Sequence, residues 1–276
     1  MTTGAPHQSL HGVAHRATGS DAFEYTARAG FAASGVLHLL VAYIIAQLAF
    51  TGAGGNADQS GALATLAGQT GGKIVLWVAA VGLVALGLWR IAEAVMGAKP
   101  KERSGQRGDN PAWKRGKSLA LAVVNFAIAL SAARFAMGSG QSSGQQNSGM
   151  SAQLMQSGWG KVVLIAIGIG VVGVGGYHVY KGVSQKFLDE LTVYGGRWIT
   201  ATGVAGYVAK GLVLGGAGVL VIIATLQADP AKASGLDAAV KTLGQAPFGK
   251  FLLILAALGI AAFGAYSFVR SKYNRM

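Results

Sequence analysis

The chain has 276 residues, of which 52% are apolar and 12% are charged. Because soluble domains carry about 25% charged residues, this composition indicates a membrane protein. The absence of cysteine excludes disulfide bonds and thiolate metal sites. The net charge of +13 fits either nucleic-acid binding or basic residues that set membrane topology. Lysines and arginines gather at the ends of apolar segments, which favours topology.

The first 29 residues form a polar segment, so we expect no cleavable signal peptide before the first apolar run. His7, His11 and His15 are four residues apart and would share one face of a helix, where two of them could bind a metal ion. The glycines and the proline among them favour a disordered tail with accidental spacing. Metal binding by the tail stays open.

Six apolar segments follow, each long enough to cross a hydrocarbon core of about 30 Å as a helix. We predict membrane-spanning helices near residues 30–50, 73–96, 116–137, 161–180, 203–226 and 250–269. The Gly/Ser/Gln-rich stretch Gly138–Gly149 predicts a flexible loop. Between spans four and five, Phe187, Leu188 and Leu191 alternate with charged residues, which predicts a short amphipathic surface helix.

One pattern, G-K-x8-G-x4-G-x-[WY], occurs three times without a gap, starting at Gly72, Gly160 and Gly249. Each copy lies in the second span of a pair, so the chain contains three two-helix repeats of the same orientation. We therefore predict an all-α integral membrane protein with six transmembrane helices in a pseudo-threefold bundle. Its parts are a polar tail (1–29), repeat 1 (30–98), a basic loop (99–115), repeat 2 (116–182), an amphipathic loop (183–202) and repeat 3 with a short C-terminal tail (203–276).

The membrane orientation follows from the distribution of basic residues. Most of the 23 lysines and arginines lie in the two termini and in the loops that follow spans two and four. Cytoplasmic loops carry the excess of positive charge. We therefore expect both termini, and these two loops, in the cytoplasm.

The lysine and the aromatic residue of each motif are about 24 Å apart along a helix, which places them at opposite membrane interfaces. We interpret them as interface anchors rather than catalytic residues, because interfacial position alone explains their type. The anchors are Lys73, Trp89, Lys161, Tyr177, Lys250 and Tyr266.

The motif glycines have a different role, because helices in lipid associate through close packing of small residues. We predict that they are sites of helix–helix packing, at Gly82, Gly87, Gly170, Gly175, Gly259 and Gly264.

Similar motifs occur near the starts of repeats 1 and 3: Arg28-x-Gly30-Phe31 and Gly35 in the first, and Gly206-Tyr207 and Lys210-Gly211 in the third. With these motifs, the three two-helix repeats resemble the bacterial family named domain of unknown function 1206, whose members are mostly actinobacterial and related multi-pass membrane proteins. In repeat 2, Pro111-Ala112 replaces the Gly–aromatic pair, Gly116 is kept, and the Gly/Ser/Gln stretch accounts for a longer spacing. The resemblance covers nearly everything after the tail and implies a bacterial membrane protein, without a mechanism.

Polar residues within the spans are candidates for function. His38 lies about 12 Å into span one, Asn125 near the middle of span three, and His178 near the inner end of span four. Histidines in such positions bond across helices more often than they bind ligands or relay protons. A haem held by His38 and His178 is conceivable, although their depths differ. We expect no cofactor and no catalytic or metal site.

The spans carry no acidic residue away from their ends and no proline, and no nucleotide-binding or hydrolase motif occurs. These features favour a non-enzymatic structural, accessory or partner-binding membrane component. Its partners would be the lipid bilayer and a membrane protein or second copy, and not nucleic acid. A small channel or transporter on the pseudo-threefold axis, lined by His38, Asn125, Ser131 and Thr225, is the first alternative. A haem or redox membrane protein is the second.

Overall fold

The computed structural model of the protein describes residues 21–52, 54–96, 111–193 and 196–275. The histidine-containing tail and most of the basic loop 99–115 lie outside the described residues, so the hypothesis of a metal site at His7, His11 and His15 lies outside them too.

Six long helices and three short ones account for most of the described chain. All six long helices have the length and apolar composition needed to cross a membrane, which confirms the six predicted spans and the all-α class. The long helices are α1 (Asp21–Thr51), α3 (Gly72–Met96), α4 (Pro111–Ala136), α6 (Gly158–Val183), α7 (Arg197–Leu226) and α9 (Gly249–Tyr273). The short helices are α2 (Gln59–Ala67), α5 (Ser143–Met155) and α8 (Leu236–Gln245), and 3-10 turns lie at Lys186–Glu190 and Lys232–Ser234.

Each repeat consists of a long helix, a short helix and a second long helix. The start of α1 and the end of α9 therefore lie at one end of the bundle, which we call the terminal face. The three short helices lie at the opposite end, which we call the hairpin face.

The helices pack in a ring that follows the chain order. The most extensive contacts join the second helix of one repeat to the first helix of the next, in the pairs α3–α4, α6–α7 and α9–α1. Within repeats, α1 packs on α3 and α7 packs on α9. Among the described residues, the corresponding pair in repeat 2, α4 and α6, has no comparable packing. We call this interruption of the pseudo-threefold ring the α4–α6 seam.

Glycines occupy the closest helix contacts. A β-carbon at Gly175 would lie 2.6 Å from the carbonyl oxygen of Gly211, and one at Gly30 would lie 2.6 Å from that of Gly82. Gly264 meets α1 in the same way, at 3.1 Å from the carbonyl oxygen of Gly35. These contacts join α6 to α7, α1 to α3 and α9 to α1, so small residues allow the main chains to approach closely.

The other predicted packing glycines divide into two groups. A β-carbon at Gly87 would meet the Phe126 ring of α4 at 2.9 Å, and one at Gly259 would meet Ala209 of α7. In contrast to the prediction, none of the described residues has an atom within 4 Å of the β-carbon position of Gly170. Gly82 and Gly259, its counterparts in the other repeats, each pack on the first helix of their own repeat. Gly170 has no such neighbour because α4 does not cover it.

The largest apolar core fills the hairpin half of the bundle. It joins the later part of α1 to the early parts of α3 and α9, and includes α2 and α8. Its most buried members include Ile45, Leu63, Leu76, Val240 and Leu253. The hairpin half is therefore a continuous apolar interior.

Hydrogen bonds link the hairpin segments of the three repeats to one another. The Asn56 side-chain amide donates to the Ser142 hydroxyl at 2.9 Å, which joins repeat 1 to repeat 2. The backbone N–H of Ala57 donates to the buried Asp237 carboxylate at 2.8 Å, which joins repeat 1 to repeat 3. These segments close the hairpin face above the apolar core.

The predicted flexible loop Gly138–Gly149 is largely helical, which corrects that prediction. Tertiary contacts hold α5 in place even though its composition is low in complexity. The Asn147 side chain donates to the carbonyl oxygen of Ser234 at 3.2 Å, and the buried Ser151 hydroxyl donates to that of Ala233 at 3.4 Å. Repeat 3 therefore orders this part of repeat 2.

The segment between α6 and α7 also differs from its prediction. It forms a 3-10 turn whose Phe187 is completely buried and whose Leu191 is nearly so, packed with Tyr207, Phe263 and Tyr266. The Tyr266 hydroxyl donates to the carbonyl oxygen of Phe187 at 3.1 Å. This loop therefore inserts into the terminal half of the bundle, whereas a surface helix would lie on it.

Candidate intramembrane polar site

A lysine and a histidine meet between the apolar core and the terminal face. Nζ of Lys210 on α7 lies 3.1 Å from Nε2 of His38 on α1. The His38 Nδ1 atom lies 2.7 Å from the carbonyl oxygen of Ser34, one turn earlier on its own helix. Because a carbonyl oxygen can only accept, Nδ1 carries the proton and Nε2 is free to accept from Lys210. The Phe263 ring packs against both, with its centroid 4.0 Å from Nζ of Lys210 and 4.8 Å from the His38 ring.

His178 on α6 is linked to this pair through two aromatic rings. Its ring centroid is 5.9 Å from that of Tyr207, which is 5.2 Å from that of Phe263. Nδ1 of His178 lies 2.8 Å from the carbonyl oxygen of Val174, so Nε2 again has the free lone pair. The structure thus places the two predicted histidines at one aromatic cluster, together with a lysine that was not predicted to take part.

Asn125, the third predicted polar residue, is half-buried on α4. Its side-chain amide donates to the carbonyl oxygen of Leu121 on its own helix at 2.8 Å. The hydroxyls of Ser131 and Thr225 likewise donate to carbonyl oxygens one turn earlier on their own helices. The described hydrogen bonds therefore do not join these three residues to His38.

An ion-pair cluster lies toward the terminal face from the histidines. Nζ of Lys181 lies 2.6 Å from Glu190 Oε1, and Nη2 of Arg270 lies 3.3 Å from Glu190 Oε2. Lys181 also donates to the Tyr207 hydroxyl at 3.1 Å. Burial alone would raise the pKa of Glu190, but the charges of Arg270 and Lys181 lower it to about 2. Glu190, in the loop between α6 and α7, therefore remains ionised and holds two spanning helices.

The three repeats carry different charges at equivalent positions of this layer. Glu93, Lys181 and Arg270 each occupy the same place relative to the first glycine of their motif. Glu93 accepts from Arg90 at 2.7 Å and from the Ser118 hydroxyl of α4 at 3.1 Å. Glu93 thus bonds to nearby residues of α3 and α4, whereas Lys181 and Arg270 both pair with Glu190. The terminal half is therefore where the repeats differ chemically.

The predicted interface anchors take different environments. Lys73, Lys161 and Lys250 are exposed at the starts of α3, α6 and α9, at the hairpin face. Tyr177 is 39% exposed, whereas Tyr266 is completely buried in the aromatic cluster of the terminal half. Tyr266 therefore does not face lipid in the predicted interfacial aromatic belt, because its ring and hydroxyl pack on Phe187.

None of the described residues form a cluster of three or more histidine, aspartate or glutamate side chains suited to a metal ion. Nε2 of His38, the atom that would ligate a haem iron, is occupied by Lys210.

A family model with the description Domain of Unknown Function (DUF1206) matches residues 29–97, 117–185 and 205–274. The chain belongs to this family. The uncharacterized protein YxxB of Bacillus subtilis (strain 168) is 29% identical over 254 residues, which cover 90% of each chain. No solved structure matches the chain.

The family matches correct the expected alignment of repeat 2. They begin at equal intervals along the chain, which places Ser118 opposite Gly30 and Gly206, and leaves no insertion in the Gly/Ser/Gln stretch. Gly116 is therefore not the counterpart of Gly35. The structure agrees, since a β-carbon at Gly116 would meet no atom within 4 Å.

Lys210 is the functional candidate that the sequence prediction missed. It appeared only as part of a family motif, although it lies about 10 Å into the predicted span 203–226 at 1.5 Å per residue. A basic residue at that depth in an apolar span is enough to indicate a candidate functional residue. Its partner on α1 could not be identified without knowing which helices are neighbours.

Proposed function

We propose that this family member is a non-enzymatic accessory component of the bacterial cytoplasmic membrane, with both termini in the cytoplasm. The observation that carries the proposal is the division of the bundle into two unlike halves. The hairpin half has an apolar core under three hydrogen-bonded hairpin segments. The contact between Lys210 and His38 and the ion pairs of Glu190 lie on the other side of this core, in the terminal half. This division favours a protein that presents a polar site to one side of the membrane over one that conducts solutes across it.

The orientation can be tested by labelling single cysteines, because the chain contains none of its own. Gln145 is exposed on the hairpin face and Lys272 is exposed on the terminal face. In intact bacterial cells, a membrane-impermeant maleimide should label Gln145→Cys and spare Lys272→Cys. Both should react after the cells are opened. Labelling of Lys272→Cys alone in intact cells would reverse the orientation.

A channel or transporter on the pseudo-threefold axis is the second candidate, favoured by the polar side chains of His38, His178 and Lys210 within the bundle. Reconstituted liposomes separate the two functions. The accessory protein should leave the flux of protons, sodium, chloride and small organic anions at the rate of protein-free liposomes. Specific flux that Lys210→Met abolishes would instead support transport and refute the accessory function.

A further inference from the structure

The α4–α6 seam is an opening in the wall of the bundle that faces the lipid. The described contacts across it occur at the terminal face, where Nζ of Lys117 lies 3.3 Å from the Tyr177 hydroxyl. Deeper in the membrane, no atom of the described residues lies within 4 Å of the β-carbon positions of Gly170 and Gly173 on α6. Here α6 presents a smooth surface beside a gap between helices.

The sequence of α4 matches this opening. By the spacing of the family matches, Asn125 is the counterpart of Leu37 in repeat 1 and Val213 in repeat 3. Leu37 is 3% exposed and Val213 packs against the main core, whereas Asn125 is half-buried and polar. Repeat 2 thus has an asparagine at the position where repeats 1 and 3 have an apolar residue packed in the bundle. Asparagine tolerates a polar neighbour at this position.

The site behind the seam has a basic group without an acidic partner. Nζ of Lys210 lies 3.1 Å from Nε2 of His38 and packs on the Phe263 ring, and among the described hydrogen bonds and ion pairs none joins Lys210 to an acidic side chain. Glu190, an acidic side chain of this half, is engaged by Lys181 and Arg270. A cation within a membrane span normally has a counter-charge, so the site is complementary to an anion.

The depth of the site suits a lipid headgroup. Lys210 lies one turn, about 4.5 Å, deeper than Tyr207, whose hydroxyl accepts from Lys181 in the ion-pair cluster. His178 lies one turn deeper than Lys181 in the same way. Lys210 and His178 are therefore just below the polar layer of the terminal face, where long basic side chains and phosphates meet.

We propose that the α4–α6 seam binds an anionic phospholipid from the leaflet at the terminal face. Its phosphate contacts Lys210, and an acyl chain lies along α6 past Gly170 and Gly173. In the proposed function, the terminal half presents a polar site to one side of the membrane, and the phospholipid is the ligand of that site. The choice of leaflet rests on the proposed function.

Lipid retention tests the proposal. The full chain is placed in nanodiscs of phosphatidylcholine with a minority of phosphatidylglycerol, and the lipid that stays bound after release is counted by native mass spectrometry. The wild type should retain phosphatidylglycerol in preference to phosphatidylcholine. Lys210→Met should weaken this retention at least about tenfold, because charge-assisted hydrogen bonds are among the strongest polar contacts. Lys210→Arg should keep most of it, and Lys161→Met, an exposed lysine at the other end of α6, should keep all of it.

A second pair of variants tests the route without removing charge. Gly170→Leu should fill the seam and reduce phosphatidylglycerol retention severalfold, whereas Gly216→Leu, at an open position of α7, should not. These two variants test the proposed lipid site even if Lys210→Met does not fold.

Three results would overturn the proposal. These are equal retention by Lys210→Met and wild type, equal retention by Gly170→Leu and Gly216→Leu, and displacement of the lipid by excess inorganic phosphate, which would indicate a site for a small anion. Cysteine labelling and liposome flux report on the proposed function independently, so failure of either proposal can be recognised separately.

Discussion

Replacing Glu190 with glutamine tests how the terminal face is held together. The carboxylate accepts from Lys181 at 2.6 Å and pairs with Arg270 at 3.3 Å, so it joins α6 to α9 through the α6–α7 loop. Glutamine keeps the shape and removes the charge. The two cations would then lie close together in a half-buried site without their shared counter-charge.

The expected cost lies between the values for exposed and for buried ion pairs. Breaking a buried pair costs about 3–5 kcal/mol, and exposed pairs contribute about 0–1 kcal/mol. The Lys181 side chain is 9% exposed and that of Glu190 is 31% exposed. We therefore expect Glu190→Gln to lower the free energy of unfolding by about 2 kcal/mol, which corresponds to about 4–8 °C in melting temperature for a chain of this size.

The pH dependence gives an independent check. The pKa of Glu190 is lowered from 4.5 to about 2, so its stabilisation is complete above pH 4.5 and is lost as the pH falls toward 2. Thermal melting in detergent, followed by tryptophan fluorescence, should therefore show a smaller loss of stability over this interval in Glu190→Gln than in the wild type. The control is Asp189→Asn, at the exposed neighbouring residue. If both variants melted alike, at the temperature of the wild type, the argument for an ion-pair link would be wrong.

Two further pairs of variants probe the packing. Gly175→Val places a β-carbon 2.6 Å from the main chain of α7 and should destabilise the bundle by about 3 kcal/mol or more, whereas Gly170→Val, at the seam, should melt within a few degrees of the wild type. Asp237→Asn weakens the bond from the Ala57 N–H and the ion pair with Lys241. It should cost about 1–2 kcal/mol and speed proteolysis at the hairpin face, whereas Asp229→Asn, at an exposed pair, should change neither.

The length and apolarity of the segments were enough to predict the six spanning helices, because both are properties of a single segment. The helical state of α5 was not predictable in the same way, since its order depends on hydrogen bonds from Asn147 and Ser151 to repeat 3. Burial of Phe187 depends similarly on rings from α7 and α9. These features arise from contacts between repeats, and a local pattern contains no information about them.

The candidate site was predicted in part for the same reason. His38 and His178 were recognisable as polar residues within apolar spans. The lysine that contacts His38 could be identified only from the arrangement of helices around the ring, in which α7 brings Lys210 to α1. The motif glycines show the limit of symmetry as a guide, because Gly170 has the same sequence context as Gly82 and Gly259 and yet has no neighbour among the described residues within 4 Å of its β-carbon position.

The seam also explains why one repeat can depart from the others without loss of the fold. Three contacts between successive repeats, α3–α4, α6–α7 and α9–α1, are all retained, and the hairpin segments add bonds that join repeat 1 to both others. The contact within repeat 2 is therefore redundant for holding the ring together. Relaxing it leaves the α6 surface at Gly170 open, where we propose that the lipid binds. A tandem repeat thus provides both the scaffold and, where one copy diverges, the proposed binding site.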